Sequence, residues 1–422
     1  MTVSTGPLTP RLARGSRVRI ECERLVHRGL GLGRYAGQVI FAFGALPGEE
    51  VTVEITSVHR RHAFADTVVV HRASSDRVVP LCPYFGVCGG CQLQHASYRL
   101  QLELKEEVLA ESLQRHGLRM PEGADALGAA EPWGYRWRGE FHLLAGRSGL
   151  GFTERGSFSV VEVESCPIHH PSINQVLGTV GPSVKGQRGH PETLQLTVGA
   201  GGAEVLVKSR PKASLSDRVV SESASGNPVG VRLTGEATEI DYRGRSFRVY
   251  SDSFIQVNQG SLDRLYETVV DWLRPELPGS KVVDAYGGSG WLSLRLADEG
   301  ARVTVLEQSP VSARLSELHA EMYRPGTLEV LCGSVEELLP GLEGLTVAVL
   351  DPPRSGLAPQ VSGWLAMAGP PTVVYLSCEV SALARDLEAL CRLGPYELDQ
   401  IRLVDMFPQT YHFETVALLR RK

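Results

Sequence analysis

Lysine is missing from the first 80 residues, and no run of eighteen or more apolar residues occurs anywhere in the 422. The second absence argues against a membrane span. Met1 to Val18 has no apolar core of the signal-peptide kind, which leaves the cytoplasm as the expected compartment. Internal repeats and low-complexity tracts are absent too. With 42% apolar and 22% charged residues, the composition is that of an ordinary soluble globular protein. The length predicts two or three domains. Disulfides are not expected in the cytoplasm, so the eight cysteines need metal, catalytic or core explanations.

A formal net charge of −5 argues on its own against a polyanion partner. Its distribution reverses the argument. Residues 1–80 hold eleven Arg against seven Asp and Glu, a balance of +4, which leaves about −9 for the rest. A small basic module on an acidic body is the asymmetry expected of a nucleic-acid-binding arm.

Short β-branched or aromatic runs, Arg17–Cys22, Gln38–Phe43, Val51–Ser57 and Phe64–Arg72, predict a small β-barrel over residues 1–75. The glycines at 29, 31, 33 and 37 sit between the first two runs. Cys82 to Gln94 is dense in Cys and Gly, and a helix is predicted over Tyr98–His116. The connector Pro121–Pro132 leads to strand-like runs at Arg138–Leu144, Thr193–Val198, Glu204–Lys208, Val229–Leu233 and Ser246–Tyr250. Residues 199–202 are a hairpin turn by composition. Residues 76–255 therefore read as an α+β central domain, and 256–422 as a third domain of different texture. There, strands at Lys281–Ala285, Arg302–Leu306, Leu328–Leu331, Val347–Leu350 and Thr372–Leu376 alternate with amphipathic helices. Leu398–Asp405 and Thr415–Arg420 follow without a helix between them. Alternation predicts a parallel, doubly wound, Rossmann-like sheet whose ligand lies at the carboxyl ends of the strands. The last two strands predict an antiparallel hairpin. The whole is α/β.

The segment from Val282 to Gly290 runs from a strand through Tyr286, Gly287 and Gly288 into a helix. Such a turn lets a ligand approach the backbone closely. Glu307, ending the next strand, stands where an acid can accept both ribose hydroxyls of a nucleoside; a solvated loop acid is the alternative. Asp351–Pro352–Pro353–Arg354 ends the fourth strand, where two prolines stiffen the backbone behind an acid. The arrangement resembles that of enzymes that methylate bases. Those acting on amino groups carry an aromatic residue where this chain has Arg354, which argues against amino-group methylation.

Cys378 ends the fifth strand, directly before a helix-like stretch from Ser381 to Cys391. A helix N-terminus stabilises a thiolate, so a lowered thiol pKa is expected there. A thiolate adding to carbon 6 of uracil makes carbon 5 nucleophilic toward a sulfonium methyl, and a base must then remove the carbon-5 proton. Glu414, opening the final strand, is the candidate base, although on its sequence surroundings alone a surface strand glutamate is the stronger reading. Cys22, Cys332 and Cys391 read as structural.

The segments around 256, 284, 351, 378 and 414 resemble, in order, the RNA uracil-5 methyltransferase family, and Ser253–Phe254–Ile255–Gln256–Val257–Asn258 is similar to its Phe-x-Gln-x-Asn signature. The resemblance implies that Gln256, Tyr286, Glu307 and Asp351 contact S-adenosylmethionine or the target base, with Cys378 as nucleophile and Glu414 as proton acceptor. Relatives that methylate cytosine carry a further cysteine after the proline of the fourth-strand motif; none stands here. Departures from the pattern are Glu379–Val380 after the nucleophile, Trp291–Leu292 after Gly290, and Ser334.

Cys82, Cys88 and Cys91 form C-x5-C-x2-C, with Cys166 as a distant fourth thiol. Four thiolates suit zinc or an iron–sulfur cluster, and spacing leaves both open. The resemblance implies a 4Fe–4S cluster. Val26–Arg34 and Gly44–Glu49 resemble a TRAM domain, a small RNA-binding barrel, so RNA is the expected partner of a monomeric enzyme. The resemblance favours a uridine of 23S rRNA. A transfer-RNA uracil-5 methyltransferase is the first alternative, and an RNA-binding iron–sulfur protein without catalysis the second.

Overall fold

The computed structural model describes residues 12–144, 149–183, 193–202, 204–210, 219–222, 228–232 and 237–422. Two compact units divide the chain: residues 1–104, 154–157 and 409–411 form the first, and the remainder forms the second. The expected border at 255/256 falls inside the second unit.

In the first unit, β1 (Arg17–Val26), β2 (Leu30–Tyr35), β3 (Gln38–Phe43), β4 (Glu50–Val58) and β5 (His62–Arg72) close into a barrel of order β1-β2-β3-β5-β4. Strict alternation along β1 buries Val18, Ile20 and Cys22 while Arg17, Arg19 and Glu21 face out, the period-2 signature of a one-sided strand. The glycine-rich stretch between the first two expected strands is largely strand β2. A Cβ on Gly31 would sit 2.8 Å from the Cys22 sulfur, and one on Gly33 2.6 Å from the Glu21 carbonyl. These glycines are there because two backbones pass close, not because the chain reverses. Fully buried Glu49 is held by Arg77, Nε to Oε1 and Nη2 to Oε2 both at 2.6 Å, and by the Leu46 and Ser74 amides. The arginine sits beside it and holds its carboxyl below the usual range against the opposing effect of burial.

Helix α1 (Tyr98–Arg115) follows the cysteine segment. In the second unit, the connector contributes an unforeseen strand, β6 (Ala126–Leu127). Next come β7 (Arg138–Leu143), β8 (Leu150–Thr153), β9 (Val160–Glu162), α2 (Pro171–Ser183), β10 (Thr193–Val198), β11 (Glu204–Arg210), β12 (Val219–Glu222) and β13 (Pro228–Arg232). They form a sheet of order β12-β13-β11-β10-β7-β8-β9. The glycine turn at 199–202 joins antiparallel β10 and β11 as expected; Leu233 of the expected strand lies outside the described residues. A hairpin of β14 (Ala237–Tyr242) and β15 (Arg245–Tyr250) precedes α3 (Gln259–Leu273).

The larger sheet holds β16 (Lys281–Ala285), β17 (Arg302–Glu307), β18 (Leu328–Cys332), β19 (Val347–Leu350), β20 (Thr372–Ser377), β21 (Tyr396–Val404) and β22 (Glu414–Arg421). Between them run α4 (Trp291–Asp298), α5 (Pro310–Tyr323), α6 (Val335–Leu338), α7 (Pro359–Ala368) and α8 (Val380–Leu387). Strand order is β18-β17-β16-β19-β20-β22-β21-β6, with β16 to β20 parallel and β22 antiparallel between β20 and β21. Apolar clusters cover both faces, one including Val282, Val303 and Val349, the other Val283, Ala348 and Tyr375. Strands buried on both sides read as continuous apolar runs, which is why β16, β19 and β20 were legible in the sequence. The order reverses between β16 and β19, and a doubly wound sheet opens its ligand crevice at such a point. No helix among the described residues is long and apolar enough to cross a membrane.

Candidate active site

Asp284 and Asp351 stand at the carboxyl ends of the two strands flanking the reversal, and the Asp351 amide donates to the Ala285 carbonyl at 3.2 Å. Asp284 is 1% exposed and accepts from the Ser293 hydroxyl of α4. Burial pushes its carboxyl up to about 7; the serine opposes this, and nearby Glu307 adds to it. Half-buried Asp351 is also pushed up to about 7, by enclosure first, then by Asp284 and Glu307. Glu307 is fixed by backbone: the Gly288 amide donates to one oxygen at 2.9 Å, the Ser309 amide to the other at 2.6 Å. Tyr286 takes a left-handed φ of 63° beside Gly288 at 58°. A non-glycine residue in that region marks a turn held by its surroundings. Burial raises the Tyr286 phenol, with Glu336, its hydrogen-bond partner, adding to the effect.

Register brings the thiol and the proposed base together. Ser377 pairs with Thr415 across antiparallel β20 and β22, so the next positions outward, Cys378 and Glu414, lie opposite one another. Glu414 is 3% exposed, not a surface glutamate. Its carboxyl lies well above the ordinary range, through burial and then Asp351, with Arg354 opposing. The same three side chains act on Cys378. Its thiol is pushed up to about 11, by burial first and then by Glu414 and Asp351, with Arg354 pulling it down. This corrects the expected lowering: burial and two carboxylates outweigh the helix end. The helix also starts earlier than expected, at Val380, with Glu379 as its N-cap accepting from the Ser381 amide and hydroxyl.

Arg354 was noted in the sequence only as a missing aromatic. Its loop is held by Asp386 of α8, which accepts the Leu357 amide at 2.7 Å and the Tyr375 hydroxyl at 2.8 Å, and Arg385 donates to the Ser355 carbonyl at 2.8 Å. Gln256 is half-buried on the segment before α3. Buried Arg138 binds the Tyr250 and Ser253 carbonyls there, and Asn258 caps the helix by accepting the Ser261 amide at 3.1 Å. Phe254, two residues before Gln256, is 70% exposed. Trp291, the departure after Gly290, fills core instead: it stacks on Tyr242 at 5.3 Å and packs on Phe247 at 4.5 Å.

Cys82, Cys88 and Cys91 belong to the first unit and Cys166 to the second. None of the four is in a disulfide. The Gly90 amide donates to the Cys88 sulfur at 3.4 Å, the kind of bond that suits a ligating thiolate. Among the described residues, however, no three of His, Cys, Asp or Glu are arranged to hold a metal ion. The donor chemistry fits a thiolate-bound centre. On the barrel, Arg17, Arg19, Arg34 and Arg72 pair with Glu54, Glu50, Glu23 and Glu21. The hairpin tip keeps Arg60 and Arg61 exposed between His59 and His62, whose rings stack at 4.7 Å beside Phe41 and Phe64.

Residues 11–68 match the TRAM domain model, and residues 232–422 match the model described as tRNA (Uracil-5-)-methyltransferase. The chain is 33% identical to the 23S rRNA (uracil(1939)-C(5))-methyltransferase RlmD of Shewanella amazonensis, over 95% of each chain. It is 31% identical to an uncharacterized RNA methyltransferase of Thermosynechococcus vestitus, over 96% of this chain and 98% of that one. The crystal structure of the Pyrococcus abyssi tRNA (uracil-54, C5)-methyltransferase in complex with S-adenosyl-L-homocysteine superposes with a TM-score of 0.73 at 24% identity, covering 95% of this chain and 99% of that one, and so shares the fold. Fold, site and relatives together define an S-adenosylmethionine-dependent RNA methyltransferase. Within that class the chain belongs to the RNA uracil-5 methyltransferase family, with a TRAM domain ahead of the methyltransferase domain.

Proposed function

We propose that the protein transfers a methyl group from S-adenosylmethionine to carbon 5 of a uridine in 23S rRNA, with Cys378 as covalent nucleophile and Glu414 as base. The observation that carries this reading is the β20–β22 register, which sets Cys378 opposite a buried Glu414 at the strand edge bearing Asp351. The Cys378 thiolate bonds to carbon 6, and the carbon 5–carbon 6 π electrons move toward carbon 5 as an enolate. Carbon 5 attacks the sulfonium methyl, the sulfur–methyl bond breaks, and S-adenosylhomocysteine leaves. Glu414 takes the proton from carbon 5, the double bond re-forms, and the thiolate departs. Because the thiol rests at about 11, substrate binding must favour the thiolate, and Arg354 is the cation able to assist.

Glu307 and Asp351 at the sheet reversal are assigned to the donor, with Tyr286 at the turn and Gln256 facing donor or base. Exposed Phe254 supplies a ring on which an unstacked base can lie. Residues 1–75 act as the RNA-binding barrel, with Arg60 and Arg61 toward phosphate and their histidines toward bases. Residues 76–255 act as a central part and 256–422 as the catalytic part. Cys82, Cys88, Cys91 and Cys166 are assigned to a 4Fe–4S cluster with a structural role. Protein purified without oxygen should be brown and contain iron; colourless protein holding only zinc contradicts the assignment.

The ribosomal target rests on the name of the Shewanella relative. The description of the family model matched over 232–422 favours transfer RNA as a second reading. Mapping 5-methyluridine in rRNA and tRNA from a deletion strain decides between them: loss from 23S rRNA supports the first, loss from tRNA the second, and loss from neither removes both. In the Glu414→Gln variant a covalent protein–RNA adduct should accumulate; a denaturing gel free of adduct counts against Glu414 as base.

A further inference from the structure

The irregular loop 405–413 leads from β21 into Glu414, and its backbone is held at five consecutive residues. The Asp405 carbonyl accepts from Ser261 Oγ at 2.8 Å, Met406 from Asn258 Nδ2 at 3.2 Å, Phe407 from Lys105 Nζ at 3.2 Å, and Pro408 from the Tyr135 hydroxyl at 3.0 Å. The Gln409 carbonyl accepts two amides, Gln92 at 3.1 Å and Leu93 at 3.0 Å. Loops ordinarily leave such carbonyls to water. Here each is taken by a separate group, although none of these groups is expected to touch donor or base.

Two of the holding side chains lie one turn apart on α1. Gln101 is 1% exposed and exchanges two hydrogen bonds with Gln409, Nε2 donating to its Oε1 at 3.0 Å and Oε1 accepting its amide at 2.9 Å. Lys105 is 2% exposed and forms an ion pair with fully buried Asp405 at 2.7 Å. Asp405 also accepts the Phe407 amide at 3.1 Å. Residues i and i+4 share a helix face, so one stripe of α1 grips the loop at both points. Gln409 takes a left-handed φ of 71°. Glycine or asparagine would adopt that backbone at less cost, so glutamine is explained by the hydrogen bond its side chain accepts from Gln101. A buried ion pair is weak evidence for stability and a well-attested way of fixing register.

We propose that Gln101 and Lys105 are positioning residues for Glu414, holding the loop so that the carboxylate meets the carbon-5 proton. The inference rests on the reading of Glu414 as the base. It predicts a specific defect: addition and methyl transfer proceed, and proton removal stalls.

The test uses the full chain with total RNA from a strain lacking it and a tritiated methyl donor, in Gln101→Met, Lys105→Met/Asp405→Asn and Glu414→Gln. The double substitution avoids a lone buried charge, and the methionine in Gln101→Met introduces none. In both positioning variants turnover should fall about tenfold to a hundredfold, as expected for a misplaced base, with the RNA KM within about twofold. Methyl-labelled protein–RNA adduct should build up, and trapping on RNA carrying 5-fluorouridine, which never releases, should match the wild type. If Glu414→Gln accumulates adduct while both positioning variants lose turnover and fluorouridine trapping in parallel and accumulate none, the inference is overturned and the base assignment stands. If Glu414→Gln accumulates none, both fall together.

Discussion

Cys378 is a nucleophile held in reserve. A thiol resting at about 11 is ionised to roughly one part in a thousand at pH 8, so its partial exposure should not make it reactive. Alkylation by iodoacetamide at pH 8 without RNA, followed on the Cys378 peptide, is expected to be slower than for an ordinary exposed thiol. Glu414 raises the thiol, so Glu414→Gln should speed alkylation. Arg354 lowers it, so Arg354→Gln should slow alkylation. The opposite order would show that these side chains do not act on the thiol as the site's electrostatics require. None of this was legible at the residue scale. Sequence position next to a helix start argued for a lowered pKa, because the helix is local while Glu414 and Asp351 arrive from other strands. Glu414 itself could not be told from a surface glutamate, since its burial depends on a strand pairing that no local pattern encodes.

Elements whose pattern is closed within their own residues were legible: the alternation of β1, the apolar runs of β16 and β19, and the terminal hairpin of β21 and β22. Elements defined by what they touch were not. β6 is two residues long and exists as a strand because Ala126 and Leu127 pair with Leu403 and Val404. β2 was hidden by its own glycines. Close approach and chain reversal use the same residue for different reasons, and substitution separates them. Gly33→Ala puts a Cβ 2.6 Å from the Glu21 carbonyl, a backbone atom that cannot turn aside, and should cost about 1–3 kcal/mol as overpacking does. Gly37 has φ of +81° and open space around it, so Gly37→Ala meets only backbone strain, about 1 kcal/mol. Urea unfolding of the two variants should rank Gly33→Ala as the more damaging. Equal losses would mean that the β1–β2 approach is loose enough to yield.

At the scale of the molecule, donor binding and stability should be linked through pH, because the crevice at the sheet reversal gathers Asp284, Asp351 and Glu307. The carboxyls of Asp284 and Asp351 are both pushed up to about 7, by enclosure first, with Glu307 adding to both and Asp284 to Asp351. In the unfolded chain they titrate near 4. A carboxyl raised on folding favours the protonated form. Its stabilising contribution is therefore complete below about 4 and is lost as pH rises through about 7. Without donor, the protein should be less stable at pH 8 than at pH 6 on this account. S-adenosylmethionine brings a sulfonium and an ammonium, which favour the ionised carboxylates. Its binding should then release protons near pH 7 and tighten from pH 6 to pH 8, by up to about tenfold for each proton released per pH unit. Titration calorimetry in buffers of different ionisation enthalpy measures that release directly. The rise in melting temperature on adding donor should grow across the same interval. S-adenosylhomocysteine, whose sulfur is uncharged, should show the smaller pH dependence, so that the crevice holds the methyl donor more firmly than its spent form as the pH rises. A dissociation constant for the donor that stays flat from pH 6 to pH 8, with no proton release, would mean that the two aspartates are already ionised in the free protein, and that the crevice is more open to water than the strand ends around it imply.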